Sequence, residues 1–217
     1  VFPPLYAVLD VDMLRMPPAD CAESFAGAGV KLIQYRAKHA SARECFDACV
    51  NLLTRLAERN MRLIVNDRPD IAVLAGTGGV HVGQEDLPPD QARRICGQEL
   101  WVGVSTHNLE QVRAANLTSA NYIAVGPIFS TSTKENPDPV VGTEFIREAR
   151  KLTRKPIVAI GGITLDHAAE VYEAGANSIA AVRDLLSAPD PGARAREFLA
   201  VAERTLRNSR AKAGAKG

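Results

Sequence analysis

A chain of 217 residues can bury one large core, and 46% hydrophobic with 24% charged residues is the balance of a folded globular protein, not of a disordered or fibrous one. A formal net charge of +1 excludes the broad basic field that nucleic acid or an anionic membrane surface would select, so any cationic site must be local. No apolar run approaches the ~20 residues of a membrane span, and the opening VFPPLYAVLD has neither the basic segment nor the cleavage pattern of a signal peptide.

Short apolar runs recur in chain order: LYAVLD (5–10), LIQYR (32–36), RLIVND (62–67), GVHVG (79–83), WVGVS (101–105), YIAVG (122–126), PIVAIG (156–161) and SIAAV (178–182). Several are apolar throughout, as parallel strands covered on their outer face must be. Helix-like sequence fills most of the gaps. SARE is a capping box with Ser41 as N-cap and Glu44 at N3. Phe46, Cys49, Val50, Leu53, Leu56 and Ala57 follow at helical spacing as one apolar stripe. RPDIAVLAGTG allows about two or three turns. In TLDHAAEVYEAG, Thr164 is the expected N-cap and Gly175 the C-terminal stop.

Eight β units alternating with helices predict an α/β chain folded as a (β/α)8 TIM barrel, a single domain over 1–205. The alternative, a doubly wound open sheet, would carry a glycine-rich turn after its first strand, where this chain has LDVDMLRMPP. The small, basic segment 206–217 is expected to be disordered. Cys21, Cys45, Cys49 and Cys96 form no C-x-x-C pair and no zinc-like cluster. They read as reduced, buried thiols, which places the chain in the cytoplasm.

Polar residues gather at the C-terminal ends of the strands, the face that carries the chemistry in this fold. In LIQYRAK, residues two apart share a face, so Gln34, Arg36 and Lys38 point one way. Two cations there suit a multi-oxygen anion such as phosphate or diphosphate; an internal ion pair with Asp67 or a solvated strand end is the competing account. Asp67 and Asp86 follow adjacent strands and suit Mg²⁺ beside a phosphate, or salt bridges to Arg36 and Lys38. Asp70, just after Pro69, reads as a helix-dipole residue.

GPIFSTSTKENPDPVVG (126–142) exceeds the usual βα loop of about 2–6 residues and reads as a lid. Thr131, Thr133 and Lys134 would be its phosphate ligands. Gly161-Gly162 and Val182–Arg183 occupy the two positions where such barrels bind phosphate through backbone N–H groups. The histidines form no triad or metal cluster: His81 is a core or pocket-wall position, His107 and His167 start helices, and His39 lies in a loop. Ser105 ends the fifth strand with no evident activating base.

Taken in order, QYRAK, NDRPDIAVLAGTGGVHVGQEDLP, VGVSTHN, NYIAVGPIFSTSTK, PIVAIGGIT and SIAAV resemble the thiamine phosphate synthase family over nearly the whole chain. The combination is specific, although each motif alone is modest. The resemblance implies an enzyme that joins 4-amino-2-methyl-5-hydroxymethylpyrimidine diphosphate to 4-methyl-5-(2-hydroxyethyl)thiazole phosphate by a dissociative, Mg²⁺-assisted substitution. On that basis Gln34, Arg36, Lys38, Asn66 and Lys134 would hold the pyrimidine diphosphate, and Ser105 would contact the pyrimidine substrate. Asp67 and Asp86 would bind Mg²⁺, while Thr131, Thr133, Gly162 and the Val182–Arg183 backbone would hold the thiazole phosphate. Arg36, Lys38, Ser105 and Lys134 are the expected catalytic set.

The partners implied are these two small molecules, with no nucleic acid or membrane and with room for a homo-oligomer. Arg183 stands where the family usually carries Ser, and Ser130 where Pro or Ala is usual. A thiazole tautomerase would need no cradle made of Arg36, Lys38, Asn66, Asp67, Asp86 and Lys134. A non-catalytic phosphate-ligand sensor would be expected to have lost the metal carboxylates or the lid residues.

Overall fold

The computed structural model describes residues 1–131 and 138–214. Eight parallel strands, β1 (Leu5–Asp10), β2 (Leu32–Arg36), β3 (Arg62–Asn66), β4 (Gly79–Val82), β5 (Trp101–Thr106), β6 (Tyr122–Val125), β7 (Ile157–Ile160) and β8 (Ser178–Ala181), close in sequence order, with β8 returning to β1. The helices between them are α1 (Pro18–Gly27), α2 (Ala42–Leu56), α3 (Pro69–Ala75), α4 (Pro89–Cys96), α5 (Leu109–Leu117), α6 (Gly142–Leu152) and α7 (Ala168–Glu173), followed by α8 (Arg183–Leu186) and α9 (Pro191–Gly214). The chain is the (β/α)8 barrel that its alternating pattern predicts.

Strand parity divides the core in two. Tyr6, Val8, Leu32, Ile64, Tyr122, Ala124, Val158 and Ala180 face inward and fill the barrel. Residues of the other parity, such as Leu9, Ile33, Val65 and Val104, pack beneath the helices. Both faces are covered, which is why the strands read as nearly continuous apolar runs. Phe2 stacks on Trp101 at 5.2 Å, and the Arg62 guanidinium lies 4.2 Å over the same indole, closing the N-terminal end.

Local signals set the helix starts. Proline occupies the first turn of α1, α3 and α4, where its missing N–H costs nothing. The capping box of α2 forms as expected: Glu44 N–H donates to Ser41 Oγ (3.2 Å), and Ser41 N–H donates to Glu44 Oε2 (2.8 Å).

Two expectations need correction. The buried stripe of α2 is Cys45, Cys49, Leu52 and Leu56, whereas Val50 is 40% exposed. The expected stripe mixed two adjacent helical lines, and the line with unbroken 4-3-4 spacing faces the sheet. Thr164 does take the N-cap position with extended backbone, but of a 3-10 turn, Leu165–His167, that leads into α7, and its hydroxyl meets His167 Nδ1 (3.2 Å) instead of a backbone N–H. The Leu165 N–H donates to the Asp184 carboxylate instead (3.2 Å).

All four cysteines are free and buried. The backbone of α9 stays helical to Gly214, across the boundary drawn at residue 205. Among the described residues no helix is long and apolar enough to cross a membrane.

Candidate active site

A cavity of about 570 Å³ opens at the C-terminal mouth of the barrel. Its floor is the top inward layer, including Val8, Ala124, Val158 and Ala180. The inward parity of β2 continues upward from that layer as Gln34 and Arg36, both lining the cavity. Gln34 Nε2 donates to the Tyr6 hydroxyl (2.8 Å), and Arg36 Nη1 donates to Asp10 Oδ2 (2.5 Å). Asp10 is paired with Arg36 in the β1–β2 register, and its side chain is only 2% exposed. The anionic partner that a partly buried guanidinium needs is thus supplied within the chain by Asp10, and the planar fork of Arg36 still borders the cavity.

Lys38, Asp67 and Asp86 lie beside this cavity. Lys38 and Asp67, with Tyr35, Cys45 and Arg68, line an adjoining pocket of about 100 Å³, and Asn66 lines both spaces. Lys38 Nζ is ion-paired with Asp67 Oδ2 in an exposed contact of little energetic weight. Asp67 holds a left-handed backbone (φ 62°), uncommon for a residue with a side chain and typical of functional turns. Its N–H donates to the His81 carbonyl (2.8 Å), which ties the β3 end to β4.

Asp86 Oδ2 accepts the Gly83 N–H (2.7 Å). Burial first, and the neighbouring Asp67 carboxyl second, push the Asp86 carboxyl above the usual carboxylate range against the pull of that N–H. Two carboxylates brought this close oppose each other, an arrangement that a divalent cation relieves. No cluster of three or more His, Cys, Asp or Glu residues exists among the described residues. The set therefore fits an ion that takes one or two carboxylates and completes its shell with phosphate oxygens and water, as Mg²⁺ does.

On the opposite wall Ser105 does have a base beside it: His81 Nε2 lies 2.9 Å from its hydroxyl, and His81 Nδ1 lies 3.1 Å from the Tyr122 hydroxyl. From sequence His81 is a core or pocket-wall position and Ser105 has no evident activating base; the structure places the two side by side. Gln84 Nε2 donates to the Ser105 carbonyl (2.5 Å). His107, expected only as a helix start, also lines the cavity, with its Nδ1 2.7 Å from the Gly126 carbonyl and facing Asp138.

The third wall comes from the ends of β6, β7 and β8. Gly161 and Gly162 have left-handed backbones (φ 98° and 63°). A Cβ on Gly162 would lie 2.3 Å from the Ser130 carbonyl oxygen, so only glycine lets this turn pack under the start of the 126–142 loop. Thr131, Val182 and Arg183 line the cavity here. Arg183 is exposed, and no described residue accepts from its guanidinium, whereas neighbouring Arg194 is paired with Asp184 (3.0 Å). Thr133 and Lys134 lie outside the described residues.

One barrel mouth thus gathers Gln34, Arg36, Asn66, Ser105, Thr131, Gly162, Val182 and Arg183, with Lys38, Asp67 and Asp86 alongside. Sequence reasoning missed Asp10, Tyr6 and Tyr122. A signal for Asp10 was present, because it ends LYAVLD on the same parity as Tyr6 and Val8. Tyr6 and Tyr122 are 116 residues apart in sequence, and their contact follows only from barrel closure.

Known proteins similar to this chain are numerous. A family model described as thiamine monophosphate synthase matches residues 5–185. A thiamine-phosphate synthase of Koribacter versatilis is 47% identical over 204 residues, covering 92% of this chain and 95% of that protein. One from Pelotomaculum thermopropionicum is 41% identical, covering 82% and 81%. Among solved structures, a thiamine phosphate pyrophosphorylase from Pyrococcus furiosus superposes with a TM-score of 0.85 at 30% identity, over 94% of this chain and 96% of that one.

Proposed function

The chain belongs to the thiamine monophosphate synthase family, and from that premise we propose that it is a thiamine-phosphate synthase acting on the two small molecules its motifs imply. It transfers the pyrimidine methylene group of 4-amino-2-methyl-5-hydroxymethylpyrimidine diphosphate to the ring nitrogen of 4-methyl-5-(2-hydroxyethyl)thiazole phosphate, releasing diphosphate. The observation that carries this reading is the convergence of Arg36, Asn66, Lys38 and the Asp67–Asp86 pair from three consecutive strand ends at one mouth.

The reaction is dissociative. The methylene–oxygen bond breaks with its electron pair leaving on diphosphate, the aminopyrimidine delocalises the cation, and thiazole nitrogen captures it. The chain's task is to neutralise the leaving group and keep water away. Arg36, held in place by Asp10, presents a fork matched to phosphate oxygens, and Lys38 adds a point charge that exchanges Asp67 for the ligand. Lys134 is assigned a third contact to the diphosphate. The apolar floor of Val8, Ala124 and Val158 offers the cation no oxygen nucleophile.

Gly162, the Val182–Arg183 backbone, Thr131 and Thr133 form the thiazole phosphate end, and Ser105 and Gln34 hold the pyrimidine. Asp67 and Asp86 would hold Mg²⁺, which when bound lends charge neutralisation to the departing diphosphate. Four free thiols suit a reducing cytoplasm.

The test is direct. Purified protein is mixed with both substrates, with Mg²⁺ or with a chelator, and thiamine phosphate is followed. Product that forms only with Mg²⁺ is expected. Binding of both substrates without product would refute the assignment.

A further inference from the structure

Five side chains are joined end to end across the barrel, four of them (Gln34, Tyr6, His81 and Ser105) lining the cavity and Tyr122 buried behind them. Gln34 Nε2 donates to the Tyr6 hydroxyl (2.8 Å), Tyr6 and Tyr122 hydroxyls meet at 3.0 Å, the Tyr122 hydroxyl meets His81 Nδ1 at 3.1 Å, and His81 Nε2 meets Ser105 Oγ at 2.9 Å. The path runs β2, β1, β6, β4, β5. Its three middle members are buried, at 1% exposure for Tyr6, 0% for Tyr122 and 7% for His81. The arrangement is built in. A Cβ on Gly103 would lie 2.1 Å from Cζ of Tyr122, so β5 carries glycine where that ring crosses the barrel. Tyr122 also sits edge-on to Tyr6, with ring centroids 5.9 Å apart.

Such a chain has a direction, because each phenol carries one proton. The Gln34 amide nitrogen can only donate, so Tyr6 oxygen accepts at that end. If Tyr122 also donated to Tyr6, the Tyr6 proton would be left without a partner in a buried site, which is costly. Tyr6 therefore donates to Tyr122, and Tyr122 donates to His81 Nδ1. An imidazole that accepts at Nδ1 carries its proton on Nε2, so it donates to Ser105. The Ser105 oxygen then accepts from below, and its own proton is turned toward the cavity.

We propose that Tyr6, Tyr122 and His81 are positioning residues that lock the His81–Ser105 pair in one polarity, making Ser105 a hydrogen-bond donor to the substrate and not a nucleophile. The ligand feature this recognises is an unprotonated aromatic ring nitrogen, which on the proposed function belongs to the aminopyrimidine. The 2.9 Å contact that resembles a Ser–His nucleophile pair works in the opposite sense. The same polarity leaves His81 with no lone pair to offer a cation formed in the cavity: Nδ1 is engaged by Tyr122, and Nε2 is protonated.

The experiment reads the tautomer on free wild-type protein, by long-range ¹H–¹⁵N NMR of ¹⁵N-histidine-labelled chain, with the His81 signal assigned by its loss in His81→Asn. The Nε2–H pattern is expected. In Tyr122→Phe, which keeps the packing, the pattern should shift toward a mixture. In that variant kcat/KM for the pyrimidine diphosphate should fall roughly tenfold, the weight of one misdirected hydrogen bond. Tyr122→Phe should add little on top of Ser105→Ala, because both break the same path.

A wild-type His81 protonated on Nδ1, the reverse polarity in which Ser105 donates to the ring, would overturn the proposal. So would full multiplication of the two variants' losses. Because the tautomer is read without substrate, its failure is separable from failure of the proposed function, which the wild-type product assay decides alone.

Discussion

Removing Arg36 should do two separable things. Asp10 is buried, its side chain 2% exposed, and its carboxylate accepts from Arg36 at 2.5 Å, while the arginine side chain keeps 18% exposure toward the cavity. Breaking a buried pair by deleting one partner costs about 3–5 kcal/mol, and the lower end applies here because the cavity admits solvent to the guanidinium side. A loss of ~3 kcal/mol in a chain of this size lowers Tm by about 6–12 °C. Arg36→Ala should show that drop in thermal unfolding. Asp10→Asn/Arg36→Ala should recover most of it, since the amide is neutral and still accepts the Asp12 N–H that now reaches Asp10 Oδ1 (3.3 Å).

Thiamine phosphate formation should be lost equally in the single and double variants, because both lack the diphosphate contact. If Arg36→Ala melts within about 2 °C of wild type, or if the double variant melts below the single one, Asp10 is not the residue that holds Arg36.

Asp86→Asn should lose Mg²⁺-dependent turnover yet raise Tm in chelator at neutral pH. The fold pushes this carboxyl up, so its ionised form is disfavoured on folding. That penalty is present at neutral pH and disappears as pH falls below the unfolded value of about 4, so the gain in Tm should fade toward that pH; a gain independent of pH would sink the argument. Gly162→Ala adds the ~1–2 kcal/mol of a left-handed non-glycine residue to a 2.3 Å overlap with the Ser130 carbonyl. It should raise KM for the thiazole phosphate more than for the pyrimidine diphosphate, and equal effects on both would displace Gly162 from the thiazole end. Thiol titration should find four reactive cysteines only after denaturation, with Cys21, whose thiol burial pushes up to about 12, slow throughout in the native protein; rapid native labelling would contradict the burial.

What the sequence shows and what it hides divide along contact range. Strand existence, parity and the polar ends of β2 to β5 are local properties, and the alternation in LIQYR already separates Gln34 and Arg36 from Ile33 and Tyr35. The capping box at Ser41 is equally local, and the structure reproduces it atom by atom. Partners across strands are set by register. Gln34 lies beside Val8, and Arg36 beside Asp10, only because β1 and β2 pair as they do. A reader of the sequence could place Arg36 in the mouth and still not know whether Asp67 or Asp10 would neutralise it. The structure gives Asp10 to Arg36 and Asp67 to Lys38, which leaves the second carboxylate, Asp86, opposed to Asp67.

The hydrogen-bonded path across the barrel interior was the least legible part, since residues such as Tyr6, His81 and Tyr122 look like ordinary strand interior in sequence. Their meaning comes from closure, which brings three strands far apart in the chain onto one path. In a small barrel the inward layer just beneath the mouth cannot be wholly apolar if polar side chains above it are to be held by something other than water. Here Gly103 vacates the volume that lets the Tyr122 phenol reach both Tyr6 and His81. Gly103→Ala is therefore expected to act on the site from beneath: it should disturb the His81 ring and Ser105 while leaving the Arg36–Asp10 pair, on the other side of the barrel, unchanged.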